Sequence, residues 1–127
     1  MKKILSISTG SSSRDHATRF TFLGEDCELS RIGTDGDLDK AVQMYRDLDG
    51  KVDAFGVGGS EFYLRVGNRR YYFRDIKRVR KAVKISKIGD GNGVKGILEQ
   101  RAFSALEKYL NEKEGKTLRG LPALQTT

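Results

Sequence analysis

The 127-residue chain holds one cysteine, one proline, one histidine and no tryptophan. A lone Cys27 excludes an internal disulfide framework and any multi-cysteine zinc site. His16 is the only imidazole available for proton transfer or metal ligation. Long apolar runs are missing too: a membrane-spanning helix needs about 20 consecutive apolar residues, and the longest runs here are a few residues. The opening Met1-Lys2-Lys3-Ile4-Leu5-Ser6-Ile7 is basic, but its apolar part is too short and too polar for a secretory signal. With 37% hydrophobic and 32% charged residues, the chain is expected to be one cytoplasmic domain with a true core.

What the chain has is charge, unevenly placed. The formal net charge is +7, yet ten bases between Arg65 and Lys87 face one acid, Asp75, so that segment alone carries +9. Between Glu25 and Asp53 nine acids face four bases. Such a molecule is a dipole with one basic patch, able to meet phosphates, a nucleic acid or an acidic protein face. A solvated helix and hairpin account for the same residues without any partner.

Periodicity supplies the elements. Ile4 to Ser8 alternates as a strand and runs into Thr9-Gly10-Ser11-Ser12-Ser13. Ala17 to Leu23 and Cys27 to Ile32 read as the arms of a hairpin turning at Gly24-Glu25-Asp26. Leu38, Ala41, Val42, Tyr45 and Leu48 recur at helical spacing, with N-cap candidates before them and Gly50 after. Val52 to Val57 is a further strand. Phe62, Leu64 and Val66 pair across Gly67-Asn68 with Tyr71 and Phe73 in an arginine-rich hairpin. Ile76, Val79 and Val83 mark a short basic helix, Ile85 to Ile88 a weak strand, and Val94 to Leu110 a long helix ended by Gly115. Residues 1–120 are expected to form a single domain, with Leu121 to Thr127 starting a further strand or linker in a longer protein.

This order predicts an α/β fold with a mixed sheet, opening with antiparallel strands and then alternating helix and strand. Ribonuclease H-like and actin-like domains share that order; a Rossmann-like three-layer sheet with hairpin excursions is the alternative. Either places ligands at the carboxyl ends of parallel strands. Three glycine-bearing loops fall there: Gly10-Ser11-Ser12-Ser13-Arg14-Asp15-His16, Gly56-Val57-Gly58-Gly59-Ser60 and Gly89-Asp90-Gly91-Asn92-Gly93-Val94-Lys95-Gly96. Backbone N–H groups and serine hydroxyls in such loops can donate to phosphate oxygens. Tight turns need glycine for geometry alone as well. The third loop fits G-x-G-x-x-G between a strand and a helix, the context of a dinucleotide fingerprint. The ribose-binding acid expected about 20 residues on is missing from Leu121 to Thr127.

Two resemblances bear on function. Ile4-Leu5-Ser6-Ile7-Ser8-Thr9-Gly10-Ser11-Ser12-Ser13 resembles the phosphate loop that opens acetate and butyrate kinases, with Ser8 where that family has Asn. The stretches Gly10 to His16, Arg31 to Leu38, Val52 to Gly59 and Asp90 to Lys95 are similar to the N-terminal part of bacterial proteins labelled quinate (shikimate) 5-dehydrogenase, which are about twice as long. That resemblance implies an NAD(P)-dependent dehydrogenase fragment, not catalytic alone, with Asp90 and Lys95 imitating the acid–base pair. No Asn-x-x-x-Pro-x-Lys stretch is present, and Ser11-Ser12-Ser13 matches the family's Ser-x-Ser poorly.

Other constellations are excluded by their residues. Asp35, Asp37 and Asp39 imitate a calcium loop, but Lys40 and Arg46 stand where glycine and the bidentate glutamate belong. The first strand has no carboxylate for two-metal nuclease chemistry. No metal site is therefore expected. The candidate ligand-binding residues are Gly10, Ser11, Ser12, Ser13, Arg14, Gly58, Gly59, Gly91, Asn92 and Gly93. The acid–base candidates are Asp15, His16, Asp90 and Lys95. The expected partner is a small anionic ligand. A nucleic acid on Arg65 to Lys87, with Tyr63, Tyr71 and Tyr72 as stacking rings, is the alternative, as is a homo-oligomer paired through the hairpin.

Overall fold

A computed structural model describes residues 1–115 and Thr117. The chain divides into two compact units, Met1–Asn92 and Gly93–Thr127. The first begins with strand β1 (Lys2–Ser8), whose alternating Leu5 and Ile7 are buried. A single 3-10 turn at Ser12–Arg14 reverses the chain into β2 (His16–Phe22), which returns as β3 (Glu25–Gly33). Helix α1 (Leu38–Leu48) follows, then β4 (Ala54–Gly58), the hairpin β5 (Tyr63–Val66) and β6 (Arg69–Tyr72), helix α2 (Arg74–Ala82) and β7 (Lys87–Gly89).

The fold is α/β, built on a five-stranded mixed sheet in the order β2-β3-β1-β4-β7. β1 pairs in parallel with both β3 and β4, β4 with β7, and only β2 is antiparallel, against β3. The opening strands are thus not three antiparallel neighbours. The hairpin swings outward after the 3-10 turn, so β3 comes back between β2 and β1 and lies parallel to β1. Without β2, the order is that of a doubly wound sheet, reversing between β1 and β4.

Register shows which side chains meet the helices. Leu5 is opposite Phe55, Ile7 opposite both Ile32 and Val57, and Phe55 opposite Ile88. These residues share one sheet face, and against it pack Ala41, Val42 and Tyr45 of α1 and Ile76, Val79 and Ala82 of α2. Each large apolar side chain fully buried here contributes roughly 1.5–3 kcal/mol. Both helices read cleanly from the apolar period. α1 starts at the N-cap Asp37, whose carboxylate accepts from Lys40 N at 2.8 Å. The opposite face holds Ile4, Ser6, Cys27, Leu29 and a run of small residues, Ala54, Gly56 and Gly58. Cys27 is buried there, as its alternation predicts.

The second unit is described by helix α3 (Asn92–Glu114), which carries Ile97, Leu98, Leu106 and Tyr109 exposed and stops at Gly115 with φ +63°. No helix among the described residues is long and apolar enough to cross a membrane. The strand expected from Leu121 to Thr127 lies outside the described residues.

Candidate functional site

At the carboxyl edge of the sheet, β1 and β4 stay paired to Ser8 and Gly58, and the connections that follow them run apart where strand order reverses. The chain leaves β1 toward β3, and α1 carries it back across to β4. A crevice forms at such a point because the two following connections run apart. Here it is a cavity of about 320 Å³. Ile7 and Val57 form its sheet side, Leu38, Ala41 and Tyr45 of α1 one wall, and Ile76 and Val79 of α2 the other. Its polar rim is Thr9, Gly36, Gly58, Gly59, Ser60 and Asp75. The first turns of both helices therefore border the rim, where unpaired N–H groups give a partial positive charge. α1 is capped by Asp37; α2 has Phe73 at its N-cap and no side-chain cap.

Tyr45 joins core and cavity. Its hydroxyl lies 3.0 Å from Ile7 O and 3.2 Å from Gly56 O, to which it donates, and burial pushes the phenol well above its ordinary pKa. The hydroxyl is therefore a fixed, neutral donor to the sheet backbone.

The three rim loops are drawn together by backbone bonds. Thr9 N donates to Gly58 O at 3.4 Å, Gly36 N to Thr9 O at 2.7 Å and Asp35 N to Gly10 O at 3.0 Å. Approach is so close that a Cβ on Gly58 would lie 2.7 Å from Ser8 Cβ. Gly59, at φ +71°, would bring one within 2.7 Å of Thr9 Oγ1. These two glycines serve loop packing first.

The serine loop is occupied by its own neighbours. Gly10 N donates to Ser8 Oγ at 3.0 Å, Ser12 N to the Asp35 carboxylate at 2.7 Å and Ser13 N to Ser11 Oγ at 3.2 Å. Asp35 thus sits where an anion would accept, and the Ser12 N–H holds its carboxyl below the usual carboxylate range. Asp15 is also committed: it accepts from Gly33 N at 2.6 Å and from the Arg31 guanidinium at 2.9 Å. Gly33 tolerates no side chain, since a Cβ would fall 2.5 Å from Ser11 O. Arg14 makes no ion pair among the described residues, and its guanidinium flanks Gly10 beside that of Arg31.

This arginine corner and the cavity occupy opposite sides of one edge. Strand alternation puts Ser8, Arg31 and Gly33 on the face away from the helices, and Ile7 and Val57 on the helix face. His16 is opposite Arg31, exposed on the edge strand, its Nδ1 2.9 Å from Arg14 O. Asp90 follows β7, where it accepts from Phe62 N at 2.7 Å and Asn92 N at 3.0 Å, while the Asn92 amide donates to Tyr63 O at 2.9 Å. Asp90 and Asn92 thereby anchor the hairpin's base. β3, β1 and β4 stand between β2, which Asp15 precedes, and β7, which Asp90 follows, a separation of roughly 19 Å at about 4.8 Å per strand. Lys95 belongs to the second unit.

The G-x-G-x-x-G stretch spans the start of α3. The helix starts at Asn92, so Gly93 and Gly96 lie inside α3, and a Cβ at either, or at Gly91, meets nothing within 4 Å. Among the described residues no group of three or more His, Cys, Asp or Glu can hold a metal ion. The cavity instead brings in Thr9, Tyr45, Ser60, Asp75 and Ile76, which spacing alone read as loop, core or charge run. Asp75 stood out in the sequence as the one acid among ten bases.

A family model covers residues 3–90, from the start of β1 to just past β7, and so spans the sheet and every residue around the cavity. The chain belongs to the family described as Domain of unknown function (DUF8753). No curated protein matches it. The DUF8753 match ends two residues before the boundary of the first compact unit at Asn92.

Proposed function

We propose that this DUF8753 domain binds a small hydroxylated organic acid or phosphate ester in the cavity between the carboxyl ends of β1 and β4. The observation that carries this reading is the cavity's position where strand order reverses, with the first turns of α1 and α2 on its rim. The apolar body of the ligand rests on Ile7, Val57 and Ile76. Its acid group takes the rim, drawn by two helix N-termini and the backbone of Gly58 and Gly59. Thr9, Ser60 and Asp75 are available to ligand hydroxyls, and Asp75 rejects a ligand that brings a second anionic group to its side. The resemblance to quinate (shikimate) 5-dehydrogenase-labelled proteins supports a polyhydroxylated carboxylate; that to acetate and butyrate kinases supports a phosphate. Catalysis is not part of the proposal, because Asp15 and Asp90 are spent on backbone N–H groups and lie strands apart.

The test is a thermal-shift and calorimetric panel of quinate, shikimate, acetyl phosphate, ATP, NAD and NADP. A ligand at about 100 times its Kd stabilises the folded state by about 2.7 kcal/mol, a rise of several degrees. Val57→Phe, which fills part of the cavity, is expected to abolish that shift. A panel without any shift, or a shift indifferent to Val57→Phe, overturns the reading.

A further inference from the structure

The basic segment forms a second surface, on the side of α2 away from the cavity. α2 buries Ile76, Val79 and Ala82. Arg74, Lys77, Arg78 and Lys81 fall at i, i+3, i+4 and i+7, which places them in one stripe on the outer side of the helix. The stripe is about 10 Å long at 1.5 Å per residue, the axial reach of about three nucleotides of one strand. Arg78 pairs with Asp39, whereas Arg74, Lys77 and Lys81 make no ion pair among the described residues. Like charges at these spacings repel, and nothing on their own helix but Asp75 relieves them.

The hairpin, which leads into α2 through Phe73, adds aromatic rings. Arg65 stands directly opposite Arg70, and Tyr63 opposite Tyr72 with ring centroids 5.6 Å apart. Arg70 lies over the Tyr63 ring at 4.8 Å. Tyr71 is 50% and Tyr72 46% exposed. Alternation puts Tyr63, Arg65, Arg70 and Tyr72 on one face of the ribbon, and Arg69 and Tyr71 on the other beside the exposed Leu64 and Val66. On the second face an exposed ring stands next to an arginine without an ion pair among the described residues, which fits a base stacked beside its phosphate. A lipid surface fits less well. The hairpin tip Gly67-Asn68 follows the exposed Val66 and precedes Arg69 and Arg70, with Arg65 one residue before Val66, so inserting the hairpin would bury three arginines along with Leu64 and Val66. An acidic protein would use the stripe but leave the rings without a role.

We propose that α2 and the β5–β6 hairpin form a binding face for single-stranded nucleic acid, with Arg69, Arg74, Lys77 and Lys81 on phosphates and Tyr71 stacking on a base. Fluorescence anisotropy of a labelled 12-nucleotide single strand with the 127-residue chain tests it, with salt varied from about 50 to 200 mM. Four phosphate contacts give a slope of log K against log salt of about −3. K77E/K81E, exposed and away from the core, is expected to weaken binding at least tenfold and flatten the slope by about 1.4. Tyr71→Ala is expected to weaken it about fivefold or more at unchanged slope. Both variants keep the far-ultraviolet circular dichroism of the parent and any thermal shift from a cavity ligand. The proposal is overturned by absent oligonucleotide binding, by binding indifferent to K77E/K81E, or by equal affinity for polyglutamate or phosphatidylserine vesicles.

Discussion

Leu23 stands at φ +50°, followed by Gly24 at φ +81°, so the two form the tight turn between β2 and β3. Both central residues of such a turn need a left-handed backbone, which an L-residue with a branched side chain adopts at a cost of about 1–2 kcal/mol. Leu23 is 90% exposed and recovers none of it by packing. Leu23→Asn is therefore expected to stabilise the chain by about 0.5–1 kcal/mol, read as a higher urea midpoint at unchanged slope. A lower midpoint would mean that Leu23 has a contact that its exposure conceals. Tyr45 gives the opposite case. Tyr45→Phe keeps the ring, which meets Phe55 edge-on at 5.1 Å, and removes only the donor to Ile7 O and Gly56 O. The expected loss is about 1 kcal/mol, measured by the same titration with circular dichroism unchanged.

Among elements, Asp49 joins what the sheet leaves separate. It ends α1, and its carboxylate accepts from the backbone of Lys84, Ile85 and Ser86 at 2.7, 3.0 and 2.8 Å, the segment that leads into β7. Those N–H groups, Ser86 first, hold its carboxyl below the usual range. Asp53 is held low in the same sense, by Lys3 N at the start of β1. A carboxyl whose folded pKa is depressed contributes stability in full above its unfolded value, about 3.9, and loses it as pH falls through the folded pKa. The urea midpoint is thus expected to hold from neutral pH to about 5 and to fall below about 4. Asp49→Ala should lower the midpoint at pH 7 and make the acid fall shallower; an equally steep fall would assign acid sensitivity elsewhere. The elements joined by this clamp were legible: apolar spacing from Leu38 to Leu48, with Gly50 beyond, matches α1 to the residue. The clamp was not, because 35 residues separate Asp49 from Lys84. The pairing of β1 with β3 was hidden for the same reason. Alternation shows that a segment is a strand, but the neighbour it takes depends on how the Gly10–Ser13 turn seats over Gly33, a contact between remote backbones.

At the scale of the molecule, the sequence pointed to a sheet edge where glycine loops gather, and the first two loops do gather there. It did not distinguish the two sides of that edge. Arg14 and Asp15 belong to the same loop after β1 as the cavity's Thr9, yet one strand step of alternation divides the arginine corner from the helix face. The same geometry sets a boundary. Among the described residues, the buried core, the five strands of the sheet and the residues around the cavity all precede Gly93. A 92-residue chain is large enough to bury somewhat more than half the surface it exposes when unfolded. Residues 1–92 alone are therefore expected to unfold cooperatively in urea, with a slope of about 1–2 kcal/mol per molar, and to keep any thermal shift that a cavity ligand gives the longer chain. A gradual, probe-dependent transition in that fragment would show that folding requires residues after Asn92. A cooperative transition without the ligand shift would separate the two questions, leaving the fold self-sufficient and moving part of the binding determinant into the second unit.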